Sequence, residues 1–200
     1  MPPRFKFTKE EIIDTCFSMA KKEGLNAITA RGVAAELGSS SKVIFGLFKD
    51  MEELRFEVVE KAKDLYKSYV EEGLSTPVPF KGVGESYIRF AKEEPKFFQL
   101  LFMREKDPKC LLSTLMETEE SYEKILSCIE SYYGLKKEDA VELYKCLWIA
   151  THGIAVMCVT GLHDFSDEEI QDTLSKIIKG LLMQFKKIDQ PKKEKSVNNF

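Results

Sequence analysis

Two hundred residues, 44% hydrophobic and 32% charged, are enough chain for a proper core and have the composition of an ordinary soluble globular protein rather than a disordered one. The cysteines Cys16, Cys110, Cys128, Cys146 and Cys158 are odd in number, far apart and without a CxxC pair, which argues against a disulfide framework and a zinc site; they are expected to be reduced, partly buried hydrophobes. The net charge of −3 is unevenly spread, because residues 1–49 hold eight Lys/Arg against five Asp/Glu and the rest of the chain 22 against 28, so a mildly basic head precedes an acidic body.

The N-terminal stretch MPPRFKFTKE lacks the continuous apolar region of a signal peptide, and no uncharged apolar run of about eighteen residues is present to span a bilayer, so a cytoplasmic protein without a membrane partner is expected. Arg4 and Lys6 precede a first helix opened by the capping box Thr8-x-x-Glu11, whose stripe Ile12, Ile13, Cys16, Phe17 and Ala20 ends at Gly24. Thr29 is placed to cap a short helix from Ala30 to Leu37, with Val33, Ala34 and Leu37 at helical spacing. Gly38 ends it, and Ser39 and Ser40 are candidate caps for a second short helix from about Ser40 to Leu47. Helix, tight glycine turn, helix is the pattern in which the second helix enters a DNA major groove; here Ser40, Ser41 and Lys42 lie on its face while Val43, Ile44 and Phe48 anchor it. The first helix packs on Leu25, Ile28, Val33, Leu37, Ile44 and Phe48 to give a three-helix core that fixes the angle of the second short helix.

A second capping box, Asp50-x-x-Glu53, opens a long helix to about Gly73, with Leu54, Val58, Val59, Ala62, Leu65, Tyr66 and Tyr69 inward, so one helix leaves the head and enters the body. The prolines of STPVPF break it. Helices are then predicted over Phe80 to Glu93, Pro95 to Arg104 and Lys109 to Tyr133, the middle one apolar on nearly every side and therefore buried. Lys136 to about Gly161 and Ser166 to Ile188 follow, the latter opened by the box Ser166-x-x-Glu169, and the polar tail 189–200 is expected to be disordered. The sum is an all-α chain of about nine helices: a helix-turn-helix head over 1–49, and a helical body over 50–188 whose first helix, 50–73, connects the two.

The order Thr29, Val33-Ala34, Leu37-Gly38, Ser40, Phe45, Phe48 and Asp50-Met51-Glu52-Glu53-Leu54 resembles the DNA-binding signature of the TetR/AcrR family of regulators. Phe45 and Met51 depart from it, standing where the family usually has a tyrosine and a lysine that touch DNA phosphates. The stretch YIRFAKEEPKFFQLLFMRE, with Trp148, His152 and Gly153 in LWIATHGIAVM, resembles the branch of that family that carries a C-terminal Trp-x-x-x-His-Gly motif. The resemblance implies a homodimer closed by the final two helices, a double-stranded DNA operator of near-palindromic sequence and a small effector bound in the body.

The residues expected on DNA are Arg4 and Lys6 as an arm, Thr29 and Lys49 on phosphates, Ser41 and Lys42 at base edges, and Ser40 and Phe45 beside them. Phe97, Phe98, Leu101, Phe102, Trp148 and His152 are the expected wall of a pocket for a largely apolar effector, although a satisfied core histidine is the commoner fate of a residue such as His152. Ile170, Leu174, Ile178, Leu181, Leu182 and Phe185 recur at intervals of three and four and are the expected dimer face; a purely intramolecular core fits the same stripe. With two histidines, His152 and His163, and no HExxH, GxSxG, phosphate loop or dinucleotide fingerprint, no catalytic group, metal or cofactor is expected. The reading is a DNA-binding regulator, a repressor released by its effector; a DNA-binding dimer with a filled body, regulated by abundance, is the alternative.

Overall fold

The chain is an array of helices, and the computed structural model describes residues 7–103 and 121–188. Nine α-helices and one 3-10 turn, Leu25–Ala27, are found among the described residues, with no strand. They are α1 (Lys9–Glu23), α2 (Ala30–Glu36), α3 (Lys42–Leu47), α4 (Met51–Leu74), α5 (Pro79–Glu93), α6 (Pro95–Phe102), α7 (Tyr122–Tyr133), α8 (Lys137–Val159) and α9 (Asp167–Ile188). The arm Arg4 and Lys6, the first part of the predicted helix 109–133 with Cys110, and the tail 189–200 lie outside the described residues.

Local chemistry accounts for most boundaries. Thr8 accepts from Glu11 N–H at 3.1 Å while Glu11 accepts from Thr8 N–H at 2.7 Å, and Ser166 and Glu169 make the same reciprocal pair before α9. Asp50 caps α4 by accepting from Glu53 N–H at 2.9 Å, but Glu53 reaches one residue further back than predicted, to Lys49 N–H at 2.6 Å. Pro79 and Pro95 open α5 and α6, where a missing N–H costs nothing.

One continuous buried cluster runs from Ile12 to Phe185. In the N-terminal helices it holds Ile12, Cys16, Ile28, Val33, Ile44 and Phe48, and burial pushes the Cys16 thiol up to about 12. α4 continues it with Leu54, Val58, Ala62 and Val70, packs along α5, and at its far end brings Gly73 against Gly82 so closely that a Cβ on Gly82 would lie 2.4 Å from the Gly73 carbonyl oxygen. α8 is by length and composition apolar enough to cross a membrane; in this chain it buries Leu143, Tyr144, Leu147, Ile154 and Ala155 and packs on α5, α7 and α9.

Candidate functional site

Thr29 Oγ1 accepts from Gly32 N–H at 3.1 Å and starts α2, which buries Val33 and Ala34. The helix closes with paired bonds, Ser39 N–H to the Ala34 carbonyl at 2.9 Å and Gly38 N–H to the Ala35 carbonyl at 3.1 Å, around Gly38 in the left-handed region at φ +57°. The next helix begins at Lys42, later than predicted, and no side chain caps it. Serine chemistry suggested a cap at Ser39 or Ser40; instead the chain enters α3 through a tight turn, with Val43 and Ile44 N–H on the Ser40 and Ser41 carbonyls at 3.1 Å each. The serine hydroxyls are thereby free of capping duty.

Ile44 and Phe48 are buried and pin α3 to the core, which turns Ser40, Lys42, Phe45 and Gly46 outward; Phe45 is 51% exposed. Thr29 and Lys49 are also exposed and Ser41 is half-buried, so every expected DNA contact among the described residues except Ser41 is exposed. Arg31, an exposed cation in the first turn of α2, was overlooked; a helix-start position beside Thr29 was the signal for it.

The turn is tied to the long helix. Arg55 of α4 donates from Nη2 and Nε to the Ile28 carbonyl at 2.9 and 3.2 Å, and its guanidinium also pairs with Glu52. α1 lies along α4 through Lys9 with Glu53 at 2.7 Å and Glu57 at 3.6 Å, and through Lys61 with Asp14. The hydrogen bonds from Lys9 and from Lys49 N–H hold the Glu53 carboxyl below the usual range.

The second region of interest is the aromatic core of the body. His152 Nδ1 and Tyr87 Oη are 3.0 Å apart, and the imidazole stacks on Trp148 at 5.1 Å with 3° between the planes. Phe98 and Phe102 close the cluster at 5.5 and 5.1 Å from the Tyr87 ring, and Tyr66 of α4 meets Phe102 edge-on at 5.0 Å. Burial pushes the His152 imidazole below its ordinary value, so it is a partnered, neutral histidine. Of the expected pocket wall, Phe98, Phe102, Trp148 and His152 come together and Leu101 packs on the core nearby; Phe97 points away, 4.5 Å from Phe17 of α1. The cavity that Trp148, Tyr66 and Tyr87 line measures about 20 Å³, room for one water.

The tetracyclin repressor-like C-terminal domain family matches residues 80–181. The chain belongs to the TetR family. Among solved structures it is similar to a protein of unknown function from Rhodococcus sp. RHA1, with 16% identity over 92% of this chain and 98% of that one at a TM-score of 0.67. It is also similar to a candidate TetR-family transcriptional regulator from Mesorhizobium loti MAFF303099, with 19% identity over 91% and 98% of the two chains and a TM-score of 0.51. None of the curated proteins matches the chain.

In this TetR chain part of the stripe considered for the dimer face is covered by the protomer's own helices. Ile170, Leu174, Ile178 and Phe185 are each at most 9% exposed within one chain, because α9 spends its strongest apolar stripe on α8 and α5. Leu181 and Leu182 are half-buried, while Met183 of α9 and Ile149 of α8 stand out at 62% and 50% exposed. The half-buried Cys146 has its thiol raised by burial and by neighbouring Glu142, opposite to what a reactive thiolate requires.

Proposed function

We propose that this regulator is a homodimeric repressor whose residues 1–49 read a near-palindromic operator and whose residues 50–188 bind a small, largely apolar effector and carry the dimer contacts. The observation that carries the reading is α3 itself: buried Ile44 and Phe48 hold it, and the face it turns outward offers Ser40 and Lys42 beside Thr29 and Lys49. Lys42 is suited to guanine acceptors, Thr29 and Lys49 to phosphates, with Arg4 and Lys6 as an arm. Phe45 and Met51 remove two phosphate donors that the family usually has, and exposed Arg31 is placed to supply one.

Release requires an effector that binds better to a body whose two heads no longer match the half-site spacing, since equal affinity for both conformations shifts nothing. The ring cluster of Phe98, Phe102, Trp148 and His152 is the proposed seat of that effector, which opens the cluster on entry. The close ring packing supports a second reading in which the body is simply full and the dimer is regulated by abundance.

The test is selection of duplexes from a random pool by the full-length chain. Enrichment of a two-fold related motif with half-sites about one helical turn apart is expected, and failure to enrich any sequence refutes DNA reading. Release of the selected duplex by members of a panel of small apolar compounds then favours the effector reading over abundance.

A further inference from the structure

Among the described residues of the head, 7–49, one large apolar side chain is exposed: Phe45, 51% open on α3. Its position is set by the core. Ile44 and Phe48 are buried, so Lys42, Phe45 and Gly46, at helical spacings of three and four residues, share the outward face, with exposed Lys49 just past the helix end. The ring therefore stands between two cations on the face turned toward a DNA groove in the function proposed above. Gly46 beside it is exposed inside a helix of six residues, where glycine is the poorest helix former after proline. Any larger side chain there would stand between α3 and what it meets; with glycine, the helix backbone and the Phe45 ring can come close.

Chemistry narrows what the ring can meet in DNA. A phenylalanine has no hydroxyl, so it cannot donate to a phosphate. In the major groove the edges of guanine, adenine and cytosine offer hydrogen-bonding groups, which an apolar ring would cover and leave unpaired, whereas thymine adds a C5-methyl group. Lys42 lies three residues before Phe45, about 4.5 Å along the helix, and base pairs are stacked about 3.4 Å apart. The guanine acceptors suited to Lys42 and a methyl group under Phe45 thus fall within about two base pairs of one another.

We propose that Phe45 is a specificity-determining residue that packs on the methyl group of one thymine in each half-site, within about two base pairs of the guanine taken by Lys42. This contact rests on the DNA reading proposed above, and it exchanges the phosphate contact of the family's usual tyrosine for contact with a base.

Duplexes selected by the full-length protein test it when each thymine of the recovered motif is replaced in turn by deoxyuridine, which keeps every pairing edge and removes only the methyl group. At one thymine per half-site the wild-type protein is expected to lose about fourfold in affinity for each half-site changed, the worth of one buried methyl group. Phe45→Ala, at an exposed position, is expected to melt like wild type, to bind the thymine duplex more weakly and to bind thymine and deoxyuridine duplexes equally. A motif in which no deoxyuridine weakens wild-type binding, or a penalty that persists in Phe45→Ala, overturns the contact while leaving DNA reading in place. Failure to select any sequence refutes the DNA reading and this contact with it.

Discussion

Two substitutions five residues apart on α9 separate core from interface. Ile178 is 6% exposed in the single chain and Met183 is 62% exposed. Ile178→Glu removes about 1.5–3 kcal/mol of apolar burial and forces a carboxylate into a buried position, for a further cost of about 3–5 kcal/mol by comparison with broken buried pairs. The total is comparable with the whole stability of a domain, about 5–15 kcal/mol. Ile178→Glu is therefore expected to melt far below wild type or not to fold. Met183→Glu touches little of its own chain, and its intrinsic cost is expected to be within about 0.5 kcal/mol. At a two-fold interface, however, the charge appears twice, so the variant is expected to be a folded monomer whose melting temperature falls only by the mass-action loss of the partner. Size-exclusion chromatography with light scattering, run beside circular-dichroism melts, reads both. A soluble Ile178→Glu monomer that melts like wild type would refute the core assignment. A dimeric Met183→Glu would show that the protomers meet elsewhere, and a wild-type monomer at micromolar concentration would end the dimer proposal.

Lys42 is exposed, so Lys42→Ala should leave the melt unchanged while costing about 1–3 kcal/mol of binding to a selected duplex and relaxing preference at one base position per half-site; equal affinity of variant and wild type would remove α3 from the groove. His152 is held below its ordinary value of 6.5 by burial, so as pH falls through 6.5 the unfolded chain takes up a proton that the folded chain refuses, and stability declines from there toward lower pH. His152→Gln should flatten the dependence of melting temperature on pH between about 5.5 and 7.5, and an identical slope in the variant would place the titrating group elsewhere. A Cβ on Gly82 would sit 2.1 Å from Thr76 Oγ1 and 2.4 Å from the Gly73 carbonyl oxygen, so Gly82→Ala must push α4 and α5 apart at a cost of about 1–3 kcal/mol, and a wild-type calorimetric melt would contradict that contact.

Capping chemistry was the most legible part of the chain, because Thr8, Thr29, Asp50 and Ser166 act within four residues and need no tertiary partner. Gly38 was legible for the same reason. The start of α3 was not, since a serine hydroxyl and a tight backbone turn satisfy the same groups and only the packing of Ile44 and Phe48 decides between them. Periodicity told correctly that the stripe of α9 is buried but not against what; an apolar stripe looks alike whether its own chain or a second copy covers it. The aromatic core failed in a different way. Phe98 and Trp148 were visible as candidates, yet of the two tyrosines that join them Tyr66 read only as a member of the α4 stripe and Tyr87 only as the first residue of the stretch YIRFAKEEPKFFQLLFMRE, and nothing local says which elements meet.

Phe97 and Phe98 together bear on how a body ligand could reach DNA. Neighbours on a helix point about 100° apart, and α6 uses that difference to touch two regions at once: Phe98 and Phe102 lie among Tyr87 and His152, whereas Phe97 meets the Phe17 ring and Glu94 takes Lys21 of α1 at 2.5 Å. A molecule that displaces the Phe98 side of so short a helix, eight residues, shifts the Phe97 side with it. A hundredfold loss of operator affinity needs about 2.7 kcal/mol of coupling. A ring pair contributes about 0.5–1.5 kcal/mol and a hydrogen bond to a charged group about 1.5–3 kcal/mol, the latter reduced here because Lys21 is half exposed, so breaking these two contacts covers most of the requirement. The remainder falls to α4, which holds the turn before α2 through Arg55 on the Ile28 carbonyl and holds α1 through Lys9 and Lys61. α1 is thus gripped from both α4 and α6, and both helices also reach the His152 cluster, α4 through Tyr66 on Tyr87 and Phe102 and α6 through Phe98 and Phe102; under the proposed effector reading, an occupant of that cluster acts through these two helices first on α1 and then on the angle of α3.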